Sequence, residues 1–180
     1  MSNYKDLIQD FPARCLDILE NFYASAQIKN REITLLIMAA STLFLIPIER
    51  LRKEHLSQDC RDHVELEKNI FGNKTFISFN FCASPEQWLY GRTQNIQSAP
   101  DDWGEFSPIS NQTVSEIISI IRNALAHGNI YVQGNPISTL LFWSNQLDDS
   151  HVNLIGYKYI KIPVYEFYEF IKRWVAFLNQ

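Results

Sequence analysis

The chain has 180 residues, of which 46% are hydrophobic and 20% charged, and its formal net charge at pH 7 is −4. This length is sufficient for one domain with a substantial apolar core, so we expect a single domain over residues 1–180. The acidic total excludes a protein that attracts nucleic acid by its overall charge, so any such binding needs a local basic cluster.

The cysteine content points to a reducing compartment. Cys15, Cys60 and Cys82 are odd in number and follow no disulfide-framework spacing. A zinc site can be drawn from Cys60 and Cys82 with His55 and His63, but its spacing matches no common ligand pattern. Since the first residues also carry no secretory signal, we predict a cytoplasmic protein without a metal site.

Two long helices are expected at the start of the chain. Residues 4–27 carry apolar side chains at three- and four-residue steps, which predicts the first helix. The apolar run of residues 33–48 predicts a second helix, buried on nearly all sides and continuing through "ERLRKEH". At about 1.5 Å per residue this run reaches roughly 24 Å, short of a ~30 Å hydrocarbon core. We therefore favour two antiparallel buried helices over the alternative of a membrane anchor.

The middle of the chain is less regular. A polar third helix is predicted over residues 57–70, and the mixed charges around it are typical of a solvated helix face. Then "KTFISFNF" alternates like a short strand, and "SPEQWLYG" predicts one capped helical turn that ends at Gly91. The following "SAPDDWGEFSPIS" predicts an aromatic loop, either a binding element or a cover over one end of the core.

The clearest helix signals lie in "NQTVSEIISIIRNALAHGN". Thr113 and Glu116 have the spacing of a capping box, and Gly128 is placed to end the helix. Three β-rich runs follow, "NIYVQ", "STLLFWSNQ" and "VNLIGYKYIKI", which predict a hairpin or a small three-stranded sheet. Pro163 then opens a last helix over residues 164–178, whose aromatic surplus suggests packing on two sides, within the chain or in a dimer.

The polar residues of the capped helix form a single arc. At about 100° per residue, Arg122 and His127 stand at opposite borders of this arc, roughly 140° apart, and Asn123 lies one turn before His127. A guanidinium pairs well with phosphate oxygens, and imidazole suits proton transfer because it titrates close to neutral pH. The arrangement predicts a phosphate site, although the polar face of an ordinary surface helix shows the same segregation.

The stretch "IRNALAHGN" resembles the signature of the HEPN superfamily: Arg, a polar residue, three further residues and His at the end of an amphipathic helix. Its "RNALAHGNIYV" and the β-rich insertion look most like small stand-alone members associated with plasmids and genetic conflict. The resemblance implies a mainly α fold: an antiparallel helical bundle with a small β-hairpin or three-stranded insertion between the motif helix and the C-terminal helix.

The same resemblance implies a metal-independent endoribonuclease of a toxin or anti-phage defence type. Two motif helices of a homodimer would form one composite site without a cofactor. In it, Arg122 would hold the scissile phosphate and stabilise its developing charge, His127 would act in proton transfer or in the same stabilisation, and Asn123 would orient one of them. The Tyr that partner-modified members carry two residues after the His is replaced by Asn129. Regulation by such a modifying partner is therefore not expected, and an inhibitory partner of any other kind is unidentified. The alternative function is non-catalytic nucleotide or RNA binding, or a scaffold.

Overall fold

The computed structural model describes residues 7–52, 71, 74–95, 97, 103–148, 150 and 152–179. The predicted third helix over residues 57–70 and its mixed-charge face lie outside the described residues, as do three of the four zinc candidates. Cys82, the fourth, is buried, and burial raises the pKa of its thiol to about 11. This thiol therefore stays protonated at neutral pH.

The described chain contains four long helices: α1 (Leu7–Ile28), α2 (Glu32–Arg52), α3 (Val114–His127) and α4 (Val164–Leu178). A short connection joins α1 to α2, and the two helices pack against each other as predicted. The predicted bounds of α3 and α4 are confirmed. Within the described residues, no helix combines the length and apolar character needed to cross a membrane.

Five antiparallel strands form one sheet: β1 (Leu89–Thr93), β2 (Ser107–Pro108), β3 (Ile130–Gln133), β4 (Thr139–Leu147) and β5 (Leu154–Pro163). Their spatial order is β2-β1-β5-β4-β3. The last three strands lie between α3 and α4, where the β-rich insertion was predicted. The first two precede α3 and join the sheet by pairing β1 with β5.

The prediction of a mainly helical bundle with a small β insertion is therefore wrong. The architecture is a helical layer packed on one face of a five-stranded sheet, and α3 contacts β4 and β5. The prediction failed because β1 and β5 are held together by pairing between residues about seventy positions apart. The local sequence around β1 carries no information about a strand partner so far along the chain.

Gly91 was predicted to end a helical turn, but it lies within strand β1. It stands within β1 opposite Tyr159, where a Cβ would come 2.1 Å from the Cε2 atom of the tyrosine ring. The glycine therefore makes room for an aromatic ring and does not cap a helix. The predicted helical turn is only the 3₁₀ turn Pro85–Gln87.

The predicted strand in "KTFISFNF" is also wrong. Phe76–Phe79 form a 3₁₀ turn that ends at Asn80, whose φ of 53° is left-handed. Arg173 donates hydrogen bonds to both oxygens of Asn80, at 2.8 Å to the carbonyl and 2.7 Å to the side chain. The alternating aromatic residues thus come from a turn whose rings enter the core, where Phe76 and Phe81 are fully buried or nearly so.

Most aromatic side chains of α4 pack inside the chain, while Tyr165 is exposed. The ring of Trp174 stacks on Phe44 of α2 at a centroid distance of 4.9 Å, while Phe170 meets Phe44 on one side and Trp88 on the other. Trp174 also donates a hydrogen bond to the Leu43 carbonyl. Packing of α4 on two sides is confirmed, and its partners belong to the same chain.

The face of the sheet opposite the helices is covered by the predicted aromatic loop. Trp103 is 4% exposed, stacks on Tyr157 at 4.6 Å and accepts a hydrogen bond from the Tyr159 hydroxyl through its carbonyl. Trp143 meets the same cluster edge-on. Of the two readings of this loop, a cover over apolar surface is the one that the packing supports.

Candidate functional site

Helix α3, which carries the Arg-Asn-x3-His segment, is set by local signals at both ends. The Thr113 side chain accepts a hydrogen bond from the Glu116 amide at 3.2 Å, which confirms the predicted N-cap. Gly128 takes a left-handed φ of 72°, and its amide bonds to the Ala124 carbonyl. His127 is therefore the last residue of the helix, directly before the chain turns into β3.

The predicted segregation of α3 is confirmed. Its apolar face is buried against the other helices and the sheet; these residues are Val114, Ile117, Ile118, Ile120, Ile121, Ala124 and Leu125. On the polar arc, Ala126 and His127 are exposed, and Arg122 and Asn123 are half-buried. The two partly covered polar residues lie where the arc meets neighbouring structure.

Arg122 and Asn123 are joined directly. The Nη1 atom of Arg122 donates a hydrogen bond to the Oδ1 atom of Asn123 at 2.7 Å. The family resemblance implies that Asn123 orients either the Arg or the His, and the observed hydrogen bond of its side chain is to the Arg. Among the described residues, neither the Nδ2 atom of Asn123 nor the His127 ring takes part in a hydrogen bond.

His127 lies at the mouth of a cavity of about 470 Å³ between the end of α3 and strand β4. We call this cavity the β4 notch; its lining residues are Asn123, His127, Asn129, Trp143, Ser144, Asn145 and Leu147. The volume falls within the range of small-molecule sites. Its walls carry amide, hydroxyl and imidazole groups, which suits a polar ligand.

A second cavity of about 560 Å³ continues along the polar arc toward the start of α3. It shares Asn123, Ser144, Asn145 and Leu147 with the β4 notch and adds Ser119, Glu116 and other residues. The two cavities together form a groove along the polar side of α3. Arg122 lines neither of them, so within one chain it stands beside this groove and not in it.

A charged cluster closes the far end of the groove. The Oε1 atom of Glu116 accepts hydrogen bonds from Lys158 Nζ at 2.9 Å, from Arg92 Nη2 at 2.9 Å and from the Tyr90 hydroxyl at 3.0 Å. Arg92 also donates a hydrogen bond to that hydroxyl. Two cations thus share one carboxylate, which leaves the cluster with a net positive charge.

The cluster shifts the titration of its members. Burial by itself would raise the pKa of Glu116, but the hydrogen bond and charge of Lys158, with Tyr90 and Arg92, bring that pKa below its ordinary value. Burial and the neighbouring Glu116 raise the pKa of Tyr90 to about 12. At neutral pH the carboxylate is therefore charged and the phenol is neutral.

This cluster was not predicted from the sequence. Glu116 was assigned only to the capping box, and Arg92 and Lys158 lie in runs without any motif. One available signal was strand alternation: Lys158 shares its face of β5 with the buried Ile160, and Arg92 shares its face of β1 with Tyr90, so both point toward the helical layer. Which helix they meet follows only from the β1–β5 pairing.

The comparisons with known proteins match the whole chain to one family model. The model described as HEPN pEK499 p136 covers residues 1–180, so the match includes the sheet as well as the motif helix. No curated protein and no solved structure gave a significant match.

Proposed function

Since the chain belongs to the HEPN pEK499 p136 family, a plasmid-associated HEPN family, we propose that it is a metal-independent endoribonuclease. HEPN domains are often RNases, and membership supports an RNase or nucleotide-binding role. The finer proposal is a toxin or anti-phage defence enzyme that cuts RNA at a site built from two motif helices. Arg122, Asn123 and His127 are its site residues.

One observation carries the proposal: the hydrogen-bonded pair Arg122–Asn123 lies one turn before the exposed His127, beside a polar groove. A planar guanidinium held in place by an amide is suited to two phosphate oxygens. An accessible imidazole is suited to move a proton at the same phosphate. These are the groups that RNA cleavage by its own 2′-hydroxyl requires.

The proposed reaction is balanced within the RNA. The 2′-oxygen forms a bond to the adjacent phosphorus and gives up its proton, while the bond from phosphorus to the 5′-oxygen breaks and that oxygen receives a proton. The products are a 2′,3′-cyclic phosphate and a 5′-hydroxyl. Arg122 stabilises the charge that develops on the phosphate oxygens, and His127 handles a proton.

Two copies of the chain fit this chemistry better than one. The attacking and leaving oxygens lie roughly in line on opposite sides of phosphorus, so one imidazole does not reach both. A second copy supplies a second His127 for the other proton and a second Arg122 for the phosphate. Pairing two motif helices also concentrates positive charge in a chain that is acidic overall.

Nucleotide binding without cleavage is the second candidate function, and the β4 notch favours it. The notch has the volume of a small-molecule site and amide-rich walls, including Asn123 and Asn129. In that case Arg122 contributes affinity for phosphate, and His127 contributes no chemistry.

The deciding experiment incubates purified protein with labelled RNA in excess chelator and compares Arg122→Ala and His127→Ala with the unmodified chain. Arg31→Ala, which removes an exposed Arg between α1 and α2, and His151→Ala, which removes another His, are the matched controls. We expect cyclic-phosphate ends with the unmodified chain and both controls, and a loss of at least about 100-fold in the two site variants.

Three other outcomes have distinct meanings. Equal cleavage by all variants would sink the assignment of these residues. Intact RNA that is bound in a salt-dependent way, more weakly by Arg122→Ala, identifies the binding function instead. In cells, the toxin proposal expects growth arrest on expression that His127→Ala relieves.

A further inference from the structure

The β4 notch exists because strand β4 continues past the end of its neighbour. The pairing of β3 with β4 ends at Ile130 and Phe142, with one further hydrogen bond from the Trp143 amide to the Asn129 carbonyl at 3.2 Å. On its other side β4 remains paired with β5 as far as Leu147. Residues 144–147 therefore form a short open edge directly beside the end of α3.

The backbone of this edge presents both donors and acceptors to the notch. In an antiparallel strand, the N–H and C=O of one residue point to the same side, and alternate residues point to alternate sides. The Trp143 amide points toward β3, so the N–H and C=O of Asn145 point the same way, past the end of β3. Outside the helix and strand ladders of the described chain, no hydrogen bond engages either group of Asn145.

The side chains around the edge have the same character. The Nδ2 atom of Asn123 and the side-chain amide of Asn129 are likewise without hydrogen bonds inside the described part of the chain, and both residues line the notch. The notch therefore combines fixed backbone and side-chain amides next to His127. Groups of this kind recognise planar ligands that carry their own alternating donors and acceptors.

We propose that the β4 notch binds the base of the nucleotide adjacent to the scissile phosphate and makes cleavage base-selective. This inference rests on the proposed function, because it takes His127 to mark the phosphate. Base edges in single-stranded RNA are read by such amide groups. An added β-strand is the competing occupant, but the open edge spans only residues 144–147 and one of its sides is closed by α3.

The test measures binding of the four nucleoside 3′-monophosphates by calorimetry and, separately, the base preference at cut sites in a mixed-sequence RNA. We expect the best mononucleotide to bind at least about fivefold tighter than the worst. Asn129→Ala should bring the four affinities within about twofold of each other, and Asn129→Asp should change their order because a donor is replaced by an acceptor. Asn21→Ala, on the exposed surface of α1, is the control and should keep the preference.

A further variant, Asn145→Pro, removes the backbone donor that faces the notch and no bond to β5. It should also flatten the preference; if it does not fold, the Asn129 variants still decide the question. Base-selective binding without cleavage supports base binding by the β4 notch and contradicts the proposed nuclease activity. Cleavage without base preference contradicts the proposed base-binding role of the β4 notch, and so does a preference that the Asn129 variants leave intact. Either result is still consistent with the proposed nuclease activity. If Asn145→Pro splits an oligomer while the preference survives, the edge pairs with another strand and the inference is wrong.

Discussion

The Nη1 atom of Arg122 lies 2.7 Å from the Oδ1 atom of Asn123, so the guanidinium at the edge of the motif helix is held by its neighbour in sequence. Because hydrogen bonds to charged groups contribute about 1.5–3 kcal/mol, this contact limits where the cation can reach. Under either of the two proposed functions, Asn123 would therefore act as a positioning residue for Arg122.

Replacing Asn123 by Asp tests this role. The new carboxylate would form an ion pair with Arg122 and compete with a phosphate for the same guanidinium, so RNA affinity should fall by roughly 10- to 100-fold. Binding measured by fluorescence anisotropy over a series of salt concentrations gives both the affinity and the salt slope, which should become shallower. Asn21→Asp adds the same charge on α1 and should have little effect. If Asn123→Asp leaves the RNA affinity unchanged, Arg122 does not belong to the RNA-binding surface.

Some parts of this fold can be predicted from the sequence and others cannot. The ends of α3 were predicted because Thr113, Glu116 and Gly128 act within a few residues of one another. The start of the sheet was not predicted, because the partner of β1 comes much later in the chain. At the site, the residues of the polar arc were predicted, but the contacts of Asn123 with Arg122 and of Glu116 with Lys158 depend on rotamers and on strand pairing.

Gly91 tests the pairing of β1 with β5. Since a Cβ at this position would lie 2.1 Å from the Tyr159 ring, Gly91→Ala should lower the free energy of unfolding by about 1–3 kcal/mol. Tyr159→Ala removes the ring and is destabilising by itself. In the double variant, however, the alanine at 91 should add much less than it costs alone, as measured by urea denaturation of all four proteins. Additive effects would show that the ring does not occupy the space over Gly91.

Glu166 anchors the segment before β1 to the start of α4. Its buried Oε2 atom accepts hydrogen bonds from the amides of Ala83 and Ser84, at 3.1 and 3.2 Å, and from the Trp88 indole at 3.1 Å. Glu166→Ala leaves these donors without an acceptor, so we expect a loss of at least about 3 kcal/mol in the free energy of unfolding. Glu169→Ala removes a half-buried carboxylate, paired with Lys172, from the same helix and should cost less than about 1 kcal/mol. Equal denaturation midpoints for the two variants would contradict the anchoring role.

Glu116 makes the free energy of unfolding depend on pH in the acidic range. Its pKa in the folded protein lies below the ordinary value of 4.5, so the charged carboxylate is stabilised by folding. This contribution is complete above the ordinary pKa and is lost as the pH falls through the lower folded value. Glu116→Gln should therefore lose less unfolding free energy than the unmodified chain between about pH 6 and about pH 3, in denaturation series at each pH. An unchanged slope in Glu116→Gln would place the acid sensitivity elsewhere.

The proposed site built from two copies makes a quantitative prediction about mixtures. If one cleavage site uses His127 from both chains of a dimer, every mixed dimer of unmodified and His127→Ala chains is inactive. After exchange of subunits at constant total protein, activity should follow the square of the unmodified fraction, so about 10% unmodified chain retains roughly 1% of the activity. A site complete within one chain would retain about 10% in the same mixture. Dilution with His151→Ala, which keeps both copies of His127, should leave the activity near its starting value. A linear dependence on the unmodified fraction would show that each chain cuts RNA alone and that the composite site is wrong.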